Sequence, residues 1–297
     1  MIEFEWRTEL SDAELAELTD VLTRAAHFDA APEYNTISVE EIIRSMPPSY
    51  PRAHHLLIWM LPYATALGGP EHPKRIAGVL RLVTAPDGTA HACLVIDPQL
   101  RSLGISTLLF ERIGLDCSGP EGWAGTGAHT IIAWARGNHP AAGRLTRRFL
   151  IPRTRRVWKL IRPTSPLDPA AVPPVLEPTA AGELRDVPWL SDVDAETLYV
   201  LRDGGEPTGA AALDFTPFEH LEFGKSASLT AFRVAPDATV RTRRALLDGA
   251  AAVAKACQFT GLVAYVESND SEWVTSCRLT GFQHDRTDVC FQVGGQQ

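Results

Sequence analysis

The chain has 297 residues, of which 45% are hydrophobic and 22% charged, and its formal net charge is −8 at pH 7. This length allows two domains with substantial cores, and the negative charge argues against nucleic acid as the main partner. Five cysteines with no Cys-x-x-Cys pair and no Cys/His cluster argue against a disulfide framework and against a metal site.

The chain also lacks the patterns of a membrane or exported protein. Its first residues are acidic and mixed, unlike a signal peptide, and no apolar run approaches the roughly 18 residues of a spanning helix. We therefore expect a cytoplasmic protein with no membrane partner.

The first half of the sequence alternates strand and helix patterns. A strand over 4–9 precedes a helix over 11–29, in which Ser11 and Glu14 form a capping box. Ser38 caps a second, short helix. The later elements are strands at 54–61, 75–83 and 91–98, a helix at 104–114, a strand at 129–136, a helix at 139–150 and a strand at 154–163. The predicted order is β-α-α-β-β-β-α-β-α-β.

A proline-rich segment separates this half from a partial repeat of it. Six prolines lie between Pro163 and Pro178, so we predict an extended linker over 163–182. The pattern that follows is β-β-β-α-β-α-β, the same series without its opening β-α-α. The predicted domains are therefore 1–162 and 183–297.

The stretch "VIDPQLRSLGIS", residues 95–106, places Arg101, Gly104 and Ser106 where a strand passes into a helix. Backbone amides at a helix N-terminus, together with the positive end of the helix dipole, suit a pyrophosphate. Gly104 and the small Ser106 would allow the anion to approach the backbone. The alternative is an ordinary glycine-containing turn with an exposed arginine.

These residues resemble the acyl-CoA-binding signature R-x-x-G-x-G/A of the GNAT superfamily of N-acyltransferases, and the element order before and after them matches that fold. The two-domain arrangement, with segments such as "FEWRTELSDAELAEL" and "IIAWARGNHPAAGRL", is further similar to the mycothiol synthases, a family of actinobacterial tandem GNAT enzymes. The resemblance implies an α/β (α+β) chain of two tandem GNAT domains. Each would have a mixed central sheet with flanking helices, and the second would lack its first helices.

The resemblance also implies a site for acetyl-CoA, the acyl donor, in the first domain. The backbone of Val95 and Ile96 would pair with the pantetheine arm, and the amides of the following loop would hold the pyrophosphate. Asn138 matches a position that often makes a polar contact with CoA, although it could equally cap the next helix. The implied binding residues are Val95, Ile96, Arg101, Ser102, Leu103, Gly104, Ile105, Ser106 and Asn138.

The second copy departs from this signature. An ungapped alignment on Pro98 and Pro236 pairs Gly104 with Thr242 and Ser106 with Arg244, side chains that would obstruct an anion. The Glu and Tyr that catalyse in mycothiol synthases fall on Ser228 and Cys277 here. We therefore expect a degenerate second domain.

The sequence leaves the catalytic residues unknown. Cys93 stands where related sequences often carry a carboxylate, and it could instead be a small core residue. His91 could act as a base or be an exposed strand histidine. His54-His55 and Glu33-Tyr34 are further candidates.

A basic stretch over 144–162 contains eight Lys and Arg residues and no acid. It could bind nucleic acid, but in an acidic chain we interpret it as solvated basic faces, some of them near the 3′-phosphate of CoA.

The resemblance predicts a monomeric enzyme that transfers an acetyl group to a small-molecule amine, best matched by the cysteinyl amine of desacetyl-mycothiol. The alternative is a catalytically idle acyl-CoA-binding or regulatory protein descended from such an enzyme.

Overall fold

The structure, a computed structural model, describes residues 2–30, 33–34, 37–46, 52–61 and 74–295. It divides into two compact units. Unit 1 comprises Met1–Arg155 and Asp288–Gln297, and unit 2 comprises Arg156–Thr287. In the described part of the chain, no helix is both long and apolar enough to cross a membrane.

The elements follow the predicted order with one addition, a short strand at Glu177–Ala180 in the segment predicted to be a linker. Those up to residue 148 are β1 (Ile2–Arg7), α1 (Asp12–Asp29), α2 (Val39–Arg44), β2 (Arg52–Met60), β3 (Arg75–Thr84), β4 (Thr89–Ile96), α3 (Ile105–Ile113), β5 (Thr130–Ala135) and α4 (Pro140–Arg148). The remainder are β6 (Arg153–Pro163), β7 (Glu177–Ala180), β8 (Thr197–Asp203), β9 (Glu206–His220), β10 (Gly224–Val234), α5 (Val240–Ala256), β11 (Gly261–Glu267), α6 (Ser271–Leu279) and β12 (Gln283–Gly294).

The mixed sheet of unit 1 carries helices on both faces. Strands β1 to β4 pair antiparallel, whereas β4 and β5 pair parallel. On one face, α1 and α2 cover Leu57, Val79 and Val95. On the other, α3 packs through Ile105 and Leu109. Because successive strand residues point to opposite faces, neighbouring residues of β4 serve different cores.

The capping box predicted at Ser11 and the cap predicted at Ser38 are both confirmed. The Ser11 hydroxyl accepts from the amide of Glu14, and the Glu14 carboxylate accepts from the amide of Ser11. Ser38 and Glu41 form the same arrangement at α2. These contacts satisfy amides that the first helical turn leaves without partners.

The units draw their closing strands from opposite halves of the chain, which the sequence boundaries do not anticipate. In unit 1, residues 289–294 of β12 pair antiparallel with β5. In unit 2, residues 157–163 of β6 pair antiparallel with β11. Backbone pairing carries little sequence information, so two strands with similar patterns can exchange places.

Unit 2 repeats the fold in shortened form. Strands β10 and β11 pair parallel, and α5 packs on the same sheet. In place of two opening helices, residues 181–196 contain short 3₁₀ turns that bury Leu184 and Leu190. The proline-rich segment 163–182 is part of this unit: it includes β7, and Leu176 is buried against α5.

The basic stretch 144–162 is less solvated than its composition suggests. Lys159 and Arg162 are 2% and 1% exposed. They form ion pairs with Asp285 and Asp248, at 2.8 and 2.7 Å respectively. Buried charges require such partners, so these residues serve the interior of unit 2.

The adjacent histidines of β2 have different environments. His54 lies edge-on to Trp6, whereas His55 is 1% exposed and its Nε2 lies 3.0 Å from the Ser45 hydroxyl. Burial, with nearby Arg81 and His54, lowers the pKa of His55 to about 4. The ring is therefore neutral in the folded protein at neutral pH.

We expect this histidine to make the protein acid-sensitive. The unfolded chain binds a proton at an ordinary histidine pKa of about 6.5, and the folded chain only near pH 4. Above pH 6.5 this histidine therefore does not lower the free energy of unfolding. As the pH falls from 6.5 towards 4, the free energy of unfolding decreases by about 1.4 kcal/mol per pH unit, or about 3 kcal/mol in total. Urea unfolding from pH 7.5 to 4.5 should show a shallower decline for His55→Gln than for the unchanged chain. His91→Gln, at an exposed site, is the control, and equal slopes for all three chains would refute the assignment.

Candidate functional site

The parallel strands β4 and β5 separate partway along their length. Their pairing runs from Thr89 opposite Thr130 to Ala92 opposite Ala133 and then stops. Residues 93–96 and 134–135 continue as strands without pairing with each other. Backbone groups in such a split can pair with an extended ligand, as a sheet edge pairs with an added strand.

A cavity of about 480 Å³ occupies this split. It is lined from both faces of the sheet, by Cys93 and Tyr34 on the α1 side and by Ala92 and Phe110 on the α3 side. The cavity therefore connects the two faces, which an intact pair of strands would separate.

The loop between β4 and α3 lines one end of the cavity. Ser102 and Gly104 have φ angles of +67° and +79°, and Gly104 is the N-cap of α3. Within the described part of the chain, the amides of residues 102–107 meet no acceptor. A Cβ placed on Gly104 would meet no protein atom within 4 Å. Open space beside unpartnered amides at a helix N-terminus is the arrangement that binds phosphate groups.

Arg101 has a defined role in this loop. Its Nη1 and Nη2 donate to Asp29 Oδ1 and Oδ2 at 2.7 Å each, and its Nε donates to the Ile96 carbonyl at 3.1 Å. Asp29 is 4% exposed and ends α1. The side chain thus fixes the loop against α1, and its charge is largely balanced by the carboxylate.

Seven of the nine predicted binding residues line the cavity. Leu103 and Asn138 do not; Leu103 points outwards and is 58% exposed. Asn138 is also not the cap of α4. That cap is His139, whose Nδ1 accepts from the Ala141 amide at 3.1 Å. The seven predicted binding residues that line the cavity are Val95, Ile96, Arg101, Ser102, Gly104, Ile105 and Ser106.

The sequence search missed His139 as a site residue. It lines the cavity, and its ring lies 4.2 Å from that of Tyr34, between centroids. Burial lowers the pKa of His139, and Arg101 lowers it further, against an opposing effect of Asp29. The dipeptide His139-Pro140 did indicate that His139 is the cap of α4, because proline favours the first helical position and the residue before it is then the cap.

The candidate catalytic residues are only partly brought together. Cys93 and Tyr34 line the cavity. His91, His54, His55 and Glu33 are not among the lining residues. The acceptor side of the split therefore presents the thiol of Cys93, the phenol of Tyr34 and the imidazole of His139.

The charge on the cavity wall is predominantly positive. Arginines 101, 136, 144 and 148 line it, and Asp29 is the one carboxylate among the described lining residues. Arg136 and Arg148 have ion-pair partners, Asp288 and Glu111. Such a wall favours a ligand with several phosphates.

The corresponding region of unit 2 is built differently. The N-cap of its helix α5, Thr239, lies three residues after Pro236, whereas the N-cap of α3, Gly104, lies six residues after Pro98. The loop is therefore three residues shorter than in unit 1. Arg243 bends back so that its Nη1 donates to the Ala238 carbonyl, and it also pairs with Glu272.

Beyond the paired part of β10 and β11, aromatic side chains of unit 2 pack against each other. Strands β10 and β11 stop pairing after Leu229 opposite Ala264. Beyond this point the rings of Phe232 and Trp273 lie 4.5 Å apart, edge to face. Cys277 is buried in the core, and burial raises the pKa of its thiol to about 12, so it holds its proton at neutral pH.

Comparison with known proteins gives related sequences and folds. The chain is 26% identical over 181 residues to a mycothiol acetyltransferase of Pseudarthrobacter chlorophenolicus, covering 60% of this chain and 52% of that protein. It is 29% identical over 167 residues to a mycothiol acetyltransferase of Paenarthrobacter aurescens, covering 54% and 47%. The match thus spans about half the length of these relatives. No family model matches.

Solved structures share the fold over the whole chain. A tandem GNAT protein from the clavulanic acid biosynthesis pathway superposes with a TM-score of 0.59 at 14% identity, covering 100% of both chains. A GCN5-related N-acetyltransferase from Sphaerobacter thermophilus gives 0.55 at 15% identity, covering 99% and 98%. The predicted fold and the resemblance to GNAT acetyltransferases are confirmed: the chain has the tandem GNAT fold.

Proposed function

We propose that this chain with a tandem GNAT fold is an acetyl-CoA-dependent N-acetyltransferase whose donor binds in unit 1. The observation that carries the proposal is one cavity that joins a loop of unpartnered amides to a split between parallel strands. The loop amides suit the pyrophosphate of acetyl-CoA, and the strand split suits its pantetheine arm. The two parts follow each other along the cavity in the order in which these groups follow each other in acetyl-CoA.

Backbone groups would hold most of the donor. The amides of residues 102–106 would receive the pyrophosphate, whereas the Arg101 amide donates to the Pro98 carbonyl at 3.4 Å. The backbone of Val95 and Ile96 would pair with the pantetheine amides. Arg144 lines the cavity and has no ion-pair partner among the described residues, so its guanidinium is available for the 3′-phosphate.

The acceptor amine would enter from the α1 face, beside Cys93, Tyr34 and His139. Direct attack forms the N–C bond and breaks the C–S bond, so CoA leaves as the thiolate and the amine loses a proton. The Nδ1 of His139 accepts a backbone hydrogen bond, which places the ring proton on Nε2. His139 would therefore donate a hydrogen bond into the cavity, and water would carry the amine proton away.

The best candidate for the acceptor is the cysteinyl amine of desacetyl-mycothiol. The support is the sequence similarity to proteins named mycothiol acetyltransferase, over about half their length. We propose further that the protein is a monomer and that it acts in the cytoplasm, a compartment that would keep its five free cysteines reduced.

A second candidate is a catalytically idle acyl-CoA-binding protein. It is favoured by one observation, that the single carboxylate on the described cavity wall is already paired with Arg101. No acidic side chain of that wall remains to accept a proton from the amine.

The two candidates differ in turnover. The full chain is incubated with acetyl-CoA and desacetyl-mycothiol, and the acetylated product is measured by mass spectrometry, because the acceptor thiol would interfere with thiol reagents. We expect product with the unchanged chain and with Ser106→Ala. Ser106→Asp, which adds a negative charge beside the cradle, should lose it. Binding of acetyl-CoA without product on a panel of amines would favour the idle protein, and absence of binding would overturn both.

We expect one donor molecule per chain. The shortened loop, the returning Arg243 and the Phe232–Trp273 pair occupy the region of unit 2 that is open in unit 1. Calorimetric titration with acetyl-CoA should therefore give a stoichiometry near one. Two sites of similar affinity would contradict this reading of unit 2.

A further inference from the structure

We infer that the cavity of unit 1 accepts an acyl chain several carbons longer than acetyl, in an apolar arm on the α3 side of the sheet. The inference rests on the proposed function and specifies its donor. The apolar arm is lined by Leu82, Leu115, Trp123, Ile131, Ala133 and Val293.

The apolar arm lies beyond the place that pantetheine would occupy. Pantetheine would run from the loop at Gly104 along residues 96 to 93, to the point where the strands part. Leu82 lies opposite Ala92, the last paired residue of β4. Ile131 lies opposite Ala90, further into the paired region. The arm thus continues away from the phosphate end, past the position expected for the thioester.

We take the reach of this continuation from the strand register, as the distance along β4 between Ala92 and the residue paired with the lining residue Ile131. From Ala92 to Ala90 is two residues, or about 7 Å at about 3.3 Å per residue. An extended chain advances roughly 1.2 Å per bond, so this space holds roughly five or six bonds. Trp123 is 2% exposed, belongs to the core on the α3 side and lines the cavity, so we place the end of the arm at its ring.

The wall of the arm is apolar and uncharged. The polar atom of Trp123, Nε1, donates to the Gly114 carbonyl at 2.9 Å and is not presented to the cavity. The sheet surface at the entrance consists of the small pair Ala92 and Ala133, which leaves room above it. The charged lining residues are on other segments: the end of α1, the loop before α3, the turn after β5, and α4. Such a surface recognises methylene groups and offers nothing to a polar acyl group.

The test is a chain-length series on the full protein. Dissociation constants are measured for acetyl-, butyryl-, hexanoyl- and decanoyl-CoA by calorimetry. Burial of each methylene should tighten binding by about fourfold, up to hexanoyl-CoA. Decanoyl-CoA should gain no more than hexanoyl-CoA, because Trp123 ends the arm.

A variant ties the effect to the arm. Ala133→Leu fills the entrance, so the ratio of the acetyl- to the hexanoyl-CoA dissociation constant should fall from about 250-fold, for four methylenes at about fourfold each, to near one. Ala26→Leu makes the same change on the exposed surface of α1 and should leave that ratio unaltered. Thermal unfolding of both variants shows whether they fold, and the series on the unchanged chain stands without them.

The outcomes separate the inference from the function on which it rests. Tight acetyl-CoA binding with no gain for butyryl- or hexanoyl-CoA would overturn the apolar arm and leave the acetyltransferase proposal standing. If none of the four thioesters binds, both are overturned.

Discussion

Gly104→Glu should abolish detectable binding of acetyl-CoA, with a loss of at least a hundredfold in affinity. The glycine has a φ of +79°, it lines the cavity, a Cβ on it would meet open space, and the adjacent amides have no other acceptor in the described chain. A glutamate side chain would project into the space proposed for the pyrophosphate and would repel it. A hundredfold loss corresponds to about 2.7 kcal/mol.

Two variants separate the causes of this loss. Gly104→Gln has nearly the same bulk without the charge, so its affinity should lie between those of the glycine and glutamate chains. Gly204→Glu makes the same substitution at a glycine of unit 2 that also has a positive φ, +59°, and open space around it. It should cost about 1–2 kcal/mol of stability from backbone strain, as at Gly104, and leave binding intact.

Calorimetry or equilibrium dialysis measures the affinity, and circular dichroism confirms that each variant folds. Unchanged affinity in a folded Gly104→Glu chain would mean that the amides beside Gly104 do not hold the donor. The proposed site in unit 1 would then have to be abandoned.

Asp29→Ala should lower the free energy of unfolding by about 3 kcal/mol. Removing the carboxylate leaves the Arg101 guanidinium, whose side chain is 20% exposed, without its bidentate partner in a largely desolvated site. Breaking one side of a buried pair costs about 3–5 kcal/mol, and the partial exposure of Arg101 places this case at the lower end. Asp20→Ala, at an exposed position of α1, should change stability by no more than about 0.5 kcal/mol.

A double-mutant cycle identifies the pair as the cause. Arg101→Ala alone leaves Asp29 buried and unpaired, whereas the double variant removes both charges. We therefore expect the double variant to be more stable than the sum of the single changes predicts, by about 1–3 kcal/mol. Urea unfolding of the four chains gives these values. Simple additivity would show that the two residues do not stabilise the protein through each other.

Local sequence patterns were sufficient for the elements of the fold. The capping boxes at Ser11 and Ser38 and the Gly104 turn each involve residues within a few positions of one another. Such signals depend on backbone geometry and hydrophobic period, which neighbouring residues specify. The repeat of β-β-β-α-β-α-β then indicated two units.

Contacts between distant residues were not predicted. Arg101 was expected to be a binding residue for the donor, but its guanidinium pairs with Asp29, 72 positions earlier. His139 became a site residue because Tyr34 lies against it. Nothing in either local sequence specifies these partners, since side chains meet only after the sheet and helices have packed.

The sequence by itself determined the order of strands and helices, the helix caps and the glycine loop before α3, because each is encoded within a few neighbouring residues. Only the tertiary structure decided which strand closes each unit, which side chains face the split between β4 and β5, and how far the cavity extends towards Trp123. Strand pairing uses backbone groups that all residues share, and a cavity is the space left by residues from many segments. Neither can be specified by a single stretch of sequence.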